Sequence, residues 1–314
     1  MTGRIKVGVA GAGVFGGHHA AKIAANPQAT LTSVYDIDPL RARTLAERHK
    51  AKAYDDYTAF LAAIDAVIVT TPATTHFNLA YLALDKGRHV LIEKPITQLT
   101  NEADALVDVA QKRDITLQVG HQERYVAAAA GLFERALRPV KIDCVRTTLE
   151  SDRCKDVSVV MDLMIHDIDL VRHLAMADIE SVIARGSVDE VIADLALTNG
   201  SSVSLKASRS ATTPERRMTL IYEDGITEFD FIKRDVSDTT PHKIQIDLDT
   251  QNGPLVFRDP LAFGTDIFLS AITHQSPPVV TGKDGRNALA WALEIEMAAG
   301  IHAADHETVE RQRA

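Results

Sequence analysis

Ile5-Lys6-Val7-Gly8-Val9-Ala10-Gly11-Ala12-Gly13-Val14-Phe15-Gly16 decides the fold. An apolar strand from Ile5 to Ala10 runs into G-x-G-x-x-G, and a helical pattern follows through Ala25. In that context each glycine has a task. Gly11 allows the tight turn, Gly13 lets backbone approach a pyrophosphate, and Gly16 lets helix and strand pack closely. Val14 and Phe15 lie in the same phosphate-facing turn. The helix N-terminus adds free N–H groups and a partial positive charge for an anion. A second strand, Leu31 to Tyr35, ends in Asp36, 20 residues beyond Gly16. That is the spacing of the acid that accepts a hydrogen bond from a ribose 2′-OH. Because a carboxylate would repel a 2′-phosphate, the pattern favours NAD over NADP. Asp36 can also act as a turn residue before Pro39.

Strands and helices keep alternating. Helical patterns cover Leu40–His49, Phe77–Lys86 and Asn101–Arg113, and short apolar strands cover Ala66–Thr70, Val90–Ile92 and Thr116–Val119. Gly87 closes one helix as a C-terminal glycine. The alternation predicts a doubly wound parallel sheet with helices on both faces. Ligands bind such sheets at the carboxyl ends of the strands, where Thr71, Pro72, His76, Glu93-Lys94-Pro95 and His121 fall. Pro95 restricts the residue before it and can take a cis bond, so Lys94 is held in a defined geometry. His76 is as well read as packing on its own helix as touching a cofactor.

From about His121 the pattern changes. A helix is predicted over Ala127–Leu137, a strand over Lys141–Glu150, a polar loop over 151–158 and a helix over Val159–Leu174. Strands follow at Ile179–Val188, Val191–Thr198, Ser202–Ser208, Met218–Tyr222, Thr227–Phe231 and Lys243–Asp247, with hairpin turns at Asn199-Gly200 and Asp224-Gly225. Val203, Leu205 and Ala207 alternate with Ser204, Lys206 and Ser208, which gives one apolar sheet face. Helices over Leu261–Thr273 and Asp284–Ala304 close the chain. The expected organisation is a Rossmann domain over 1–120 and an α+β domain with a large, mostly antiparallel open sheet over 121–314.

Within the helix at 159–174, Asp162 and His166 share a face at i, i+4, on a stretch otherwise rich in Val, Leu, Ile and Met. A histidine beside a carboxylate suits a general base near neutral pH. A structural Asp–His pair and a metal pair are alternatives, and no further Cys or His at matching spacing supports a metal.

Bulk numbers narrow the class. The chain has 314 residues, 46% hydrophobic and 25% charged, enough for two domains. A net charge of -9 argues against general nucleic-acid or anionic-membrane binding. No apolar run approaches the roughly 18 residues of a membrane span. With no hydrophobic leader ahead of Ile5, and Cys144 and Cys154 outside any CxxC pair, a cytoplasmic protein with reduced thiols is expected.

In order, the glycine fingerprint, Thr71-Pro72 with His76, Glu93-Lys94-Pro95, and Asp162 with His166 resemble the Gfo/Idh/MocA oxidoreductases over nearly the whole chain. The resemblance implies NAD as cofactor, a sugar, sugar nucleotide or cyclitol as substrate, and homodimers or homotetramers built through the second sheet. It assigns catalysis to Lys94, Asp162 and His166. Gly11, Gly13, Val14, Phe15, Gly16, Asp36, Thr71, Pro72, His76, Glu93 and Lys94 fall to the cofactor. Lys94, His121, Arg124, Tyr125, Asp162 and His166 fall to the substrate. Val119–Tyr125 is similar to the UDP-N-acetylglucosamine 3-dehydrogenase-like branch, which acts at C3 of a UDP-N-acetyl sugar, although Val126-Ala127 stands where that branch usually has Asn-Pro. Arg124, Arg153 and Arg209 are candidate anion or sugar contacts. Two other readings of the same fold are a non-catalytic dinucleotide sensor and an NAD-dependent glycosidase that recycles NADH in place.

Overall fold

A computed structural model describes residues 3–150, 157–241, 243–244 and 251–301. The chain divides into two compact units, one of residues 1–122 and 259–286, the other of 123–258 and 287–314. Where the sequence suggests a single boundary at 120, the segment 259–286 returns to the first unit.

The first unit carries six parallel strands: β1 (Ile5–Ala10), β2 (Ala29–Tyr35), β3 (Lys52–Tyr54), β4 (Ala66–Val69), β5 (His89–Ile92) and β6 (Leu117–Val119). Their order is β3-β2-β1-β4-β5-β6. The winding of the chain across the sheet reverses between β1 and β4, the point where sheets of this kind bind ligands at their carboxyl ends. Every residue of β4 is buried, as expected for a parallel strand covered on both faces. Helices α1 (Val14–Ala25), α2 (Pro39–His49), α3 (Tyr57–Ala62), α4 (Ala73–Asp85) and α5 (Thr100–Arg113) make the crossovers. Asp38 caps α2, accepting from the amides of Leu40 at 2.8 Å and Arg41 at 3.3 Å, and Pro39 starts it. Sequence reading missed β3 and α3, each too short to show a period. They are held by the packing of Tyr57 and Phe60 against Tyr35, at 4.9 and 5.9 Å between ring centroids.

In the second unit, α6 spans Gln122–Ala129, its first residue still belonging to the first unit. It starts and ends earlier than the expected Ala127–Leu137. Gly131 at φ +72 stops it, with Leu132 N donating to Ala127 O at 3.0 Å in a left-handed cap. The early start goes with ion pairs of the half-buried Glu123 and the buried Arg124, which apolar periodicity does not reveal. The sheet comprises β7 (Lys141–Thr147), β8 (Ile179–Gly186), β9 (Glu190–Leu197), β10 (Ser202–Ser208), β11 (Glu215–Tyr222), β12 (Gly225–Asp230) and β13 (Asp235–Asp238). Its order is β13-β12-β11-β7-β10-β9-β8, antiparallel except for β7 against β10. Val203, Leu205 and Ala207 are buried on one face, as the alternation predicts. The strand expected at Lys243–Asp247 is not seen at 243–244, and 245–247 lie outside the described residues. The edge position belongs to β13, whose Asp-Val-Ser-Asp sequence has no apolar alternation to betray it.

A π-turn, Val160–Met164, opens α7 (Ile165–Ala175). The short α8 (Leu255–Arg258) precedes α9 (Pro260–His274) and α10 (Gly282–Ala298). Helix α9 belongs to the first unit, where Phe268, Leu269 and Ile272 join the core of Val7, Ile23 and Leu31. Among the described residues, no helix is long and apolar enough to cross a membrane, and no cluster of His, Cys, Asp or Glu could hold a metal ion.

Candidate active site

The glycine loop is built for a close ligand. Gly11 sits at φ +100, and a Cβ there would lie 2.8 Å from the backbone of Thr70. At Gly16 a Cβ would fall 1.8 Å from the carbonyl oxygen of Gly11, so only glycine allows that approach. A Cβ at Gly13 would meet nothing within 4 Å, which leaves the outer face of the loop open. No side chain caps the N-terminus of α1, and no acid stands in its first turn. The free N–H groups are therefore available to a pyrophosphate. Val14 and Phe15 are exposed at the same helix start.

Asp36 stands at the end of β2, 9% exposed. Its Oδ2 accepts from Ala12 N at 2.6 Å and its Oδ1 from Asp38 N at 2.8 Å. The carboxylate thus braces the glycine loop, and each oxygen keeps a further lone pair for a ribose hydroxyl.

At the ends of β4 and β5, His76 is buried, with Nδ1 2.8 Å from Pro95 O and Nε2 2.9 Å from Thr71 O. Its ring ties the Thr71-Pro72 turn to the Glu93-Lys94-Pro95 turn. The Lys94–Pro95 bond is cis, the isomer that the sequence allowed. Glu93 is 7% exposed, and its Oε1 lies 2.8 Å from His19 Nε2. Burial alone would raise its pKa, but the His19 hydrogen bond and the charges of His19 and Lys94 outweigh burial and lower it. A Cβ at Gly120 would come within 2.6 Å of the same carboxylate. Lys94 is half-buried, with its amide 3.4 Å from Glu93 Oε2. His121 is buried beyond Gly120. His19 escaped the sequence reading. The available signal was a histidine on the buried face of α1, three residues past Gly16 and amid alanines.

In the second unit, Ser158 starts the helix that carries Asp162 and His166. Its Oγ accepts from Val160 N at 3.1 Å and Met161 N at 3.2 Å, and it donates to Glu296. Sequence reading expected an α-helical i, i+4 pair, whereas Asp162 lies in the π-turn and His166 in the first turn of α7. Such single π-turns are frequent at functional sites. Both side chains are half-buried, while Asp167 and Asp169 point into the unit as anchors. Asp167 receives Arg146 Nε at 3.0 Å and Nη2 at 2.7 Å, and Asp169 receives Arg124 through a two-pronged contact. Arg209 donates to Asp189 Oδ1 at 2.7 Å and to the carbonyls of Val157 and Val188, and its Nη1 stands 3.9 Å from Asp162. Arg124 and Arg209 are thus buried and held in ion pairs within the unit. Tyr125 is buried beside Arg124. Arg153 and Cys154 lie outside the described residues, and Cys144 is a buried free thiol.

Glu296 is 7% exposed, and burial, partly offset by the Ser158 hydrogen bond, pushes its pKa up to about 7. From the ordinary carboxyl range up to pH 7, the folded chain keeps a proton that the unfolded chain has released. Stability contributed by Glu296 should then fall as pH rises through that window and level off above it. E296Q is expected to melt higher relative to wild type at pH 8 than at pH 5, by about 2–4 °C for each kcal/mol of linkage. Thermal melts at the two pH values check this.

Comparison with known proteins agrees with this layout. A family model described as "Oxidoreductase family, NAD-binding Rossmann fold" matches residues 5–121, and one described as "GFO/IDH/MocA C-terminal domain" matches 145–228. The chain is 36% identical over 310 residues to the UDP-N-acetylglucosamine 3-dehydrogenase of Acidithiobacillus ferrooxidans, covering 94% of this chain and 97% of that protein. It is 26% identical to the myo-inositol 2-dehydrogenase of Thermotoga maritima, covering 91% and 93%. A solved structure of the Acidithiobacillus enzyme superposes with a TM-score of 0.87 at 35% identity, covering 96% and 99%.

Proposed function

The chain belongs to the Gfo/Idh/MocA oxidoreductase family, with its NAD-binding Rossmann fold, and from that premise we propose that it oxidises C3 of a UDP-N-acetyl sugar, reversibly and with NAD. The similarity over 94% of the chain to an enzyme named for that reaction carries the proposal. The loop geometry fits the cofactor: Gly11, Gly13, Gly16 and the α1 N-terminus would hold the pyrophosphate, and Asp36 the ribose. NAD, when bound, supplies the hydride acceptor. His166 takes the proton of the C3 hydroxyl as general base. Lys94 donates a hydrogen bond to the same oxygen and stabilises the negative charge that develops there. Asp162 orients His166 or accepts from an adjacent hydroxyl. Glu93, locked by His19, and His76, bridging two turns, hold Lys94 in place. The active protein is proposed to be a homodimer or homotetramer assembled through the second sheet.

The test is incubation of the full chain with NAD and a panel of UDP-N-acetylglucosamine, other UDP-sugars and free cyclitols, followed at the NADH absorbance. NADH formation with UDP-N-acetylglucosamine and a 3-keto product is the expected result. Turnover of inositol alone would shift the substrate to cyclitols. A lack of NADH with every compound would sink the dehydrogenase reading, in favour of a sensor if the sugars stay intact or a glycosidase if they are cleaved.

A further inference from the structure

Arg216 and Arg234 are two cations of the second unit that the proposed chemistry does not use. Arg216 of β11 stands opposite Arg146 of β7 in the antiparallel ladder, so both side chains leave the same face of the sheet. Arg146 is committed, with its fork on Asp167 and its Nη1 3.1 Å from Glu123 Oε1. That same oxygen also takes Arg216 Nη1 at 3.4 Å. Glu123 Oε2 and Arg234 Nη1 are both buried, and among the described residues neither has a hydrogen-bond partner. Burial lowers the pKa of Arg234 most, Glu123 opposes that, and the charge of Arg216 adds to it. Phe231 N donates to the Arg216 carbonyl at 2.8 Å, which seats the turn that carries Arg234 against the strand that carries Arg216. Among the described residues, the guanidiniums of Arg146, Arg216 and Arg234 stand here with the carboxylates of Asp167 and Glu123, in a chain of net charge -9.

The turn that presents Arg234 is built rather than loose. Asp230 Oδ1 accepts from the amides of Ile232 and Lys233, both at 2.9 Å. Arg234 itself sits at φ +57, a left-handed conformation uncommon for a side chain of that size. Phe231 is buried below, 4.4 Å from the Phe229 ring and 5.9 Å from the Arg146 guanidinium.

We propose that Arg216 and Arg234 form a subsite for a phosphoryl group of the substrate, with Arg146 as its fixed wall. A planar guanidinium fork matches phosphate oxygens two at a time, and Arg216, exposed on the sheet face, is open to an incoming group. Glu123 Oε2 offers an acceptor for a hydroxyl beside the phosphate, so the cluster suits a phosphorylated sugar or nucleotide better than a bare anion. The inference rests on the sugar-nucleotide reading above and names the groups that take its phosphates.

Calorimetric titration of the full chain with NAD present tests it, with UDP, glucose 6-phosphate, inorganic phosphate and N-acetylglucosamine as probes. R216Q and R234Q are each expected to weaken UDP binding about tenfold or more, the scale of a charged hydrogen bond. Affinities for NAD and N-acetylglucosamine should stay within about twofold of wild type. R234K, which keeps the charge, should retain much of the affinity and guards against a folding defect. R217Q serves as a control, because Arg217 pairs instead with Glu215 and Glu228. If UDP-N-acetylglucosamine is oxidised but its KM is unchanged in R216Q and R234Q, the subsite falls and the function stands. If UDP-sugars are not oxidised, yet UDP or glucose 6-phosphate binds and is lost in both variants, the subsite stands and the substrate reading falls. Wild-type protein that binds no phosphorylated probe overturns the subsite.

Discussion

Lys94→Ala is expected to lower kcat by about 10²–10³-fold, the usual effect of removing one preorganised donor at a developing oxyanion. The Kd for NAD should change by no more than about threefold. The split follows from position. The pyrophosphate cradle is made by backbone at Gly11, Gly13 and the start of α1, none of which depends on the Lys94 side chain. Lys94 is instead fixed from behind. Glu93 is pinned by His19 at 2.8 Å, Gly120 leaves room for that carboxylate, and the Pro95 carbonyl is tied to His76 at 2.8 Å. Lys94→Arg keeps the charge but not the compact ammonium, and should recover little of the lost rate. Stopped-flow NADH formation with saturating substrate, alongside calorimetry for NAD, reads both quantities. Turnover at the wild-type level in Lys94→Ala would remove Lys94 from the mechanism.

The parts of this arrangement that could be read from the chain are those set by local spacing. The glycine loop, Asp36 and Glu93-Lys94-Pro95 are short backbone devices, each complete within a few residues, and each stands at the strand end where its spacing placed it. The supports behind them are not local. His19 meets Glu93 74 residues away, Arg146 meets Asp167 across 21 residues, and Arg124 meets Asp169 across 45. Nothing in the apolar periodicity of α1 or β7 marks those side chains as paired. For the same reason the sequence does not show that Arg124 pairs with Asp169 and Arg209 with Asp189. The π-turn at Val160–Met164 is equally silent, because its apolar residues satisfy an α-helical pattern as well. Short or polar elements, β3, α3 and β13, lack enough residues or enough apolar contrast to show a period.

Arg146→Met should destabilise the second unit by about 3–5 kcal/mol, the scale for removing one partner of a buried ion pair. Arg146 is 2% exposed, and its side chain satisfies Asp167, itself 3% exposed, and part of Glu123. Burial alone would weaken its protonated form, but Asp167 and Glu123 outweigh burial and raise its pKa, so the guanidinium stays charged. Without it, Asp167 is left as a buried carboxylate facing the Cys144 thiol, whose own pKa is raised chiefly by burial and further by Asp167. The double variant Arg146→Met/Asp167→Leu removes both charges and should recover most of the loss, because two apolar side chains of similar volume replace a buried pair at little net cost. Glu123 then keeps Arg216 at 3.4 Å. Urea midpoints of wild type and both variants measure this. Activity separates stability from position. Asp167 is the residue after His166, so the Arg146 fork fixes the first turn of α7 and with it the direction of the proposed base. The double variant should therefore regain its urea midpoint while kcat stays reduced by about tenfold or more. Full recovery of both would mean that packing around Ile165 and Ile168, not the ion pair, sets where His166 points.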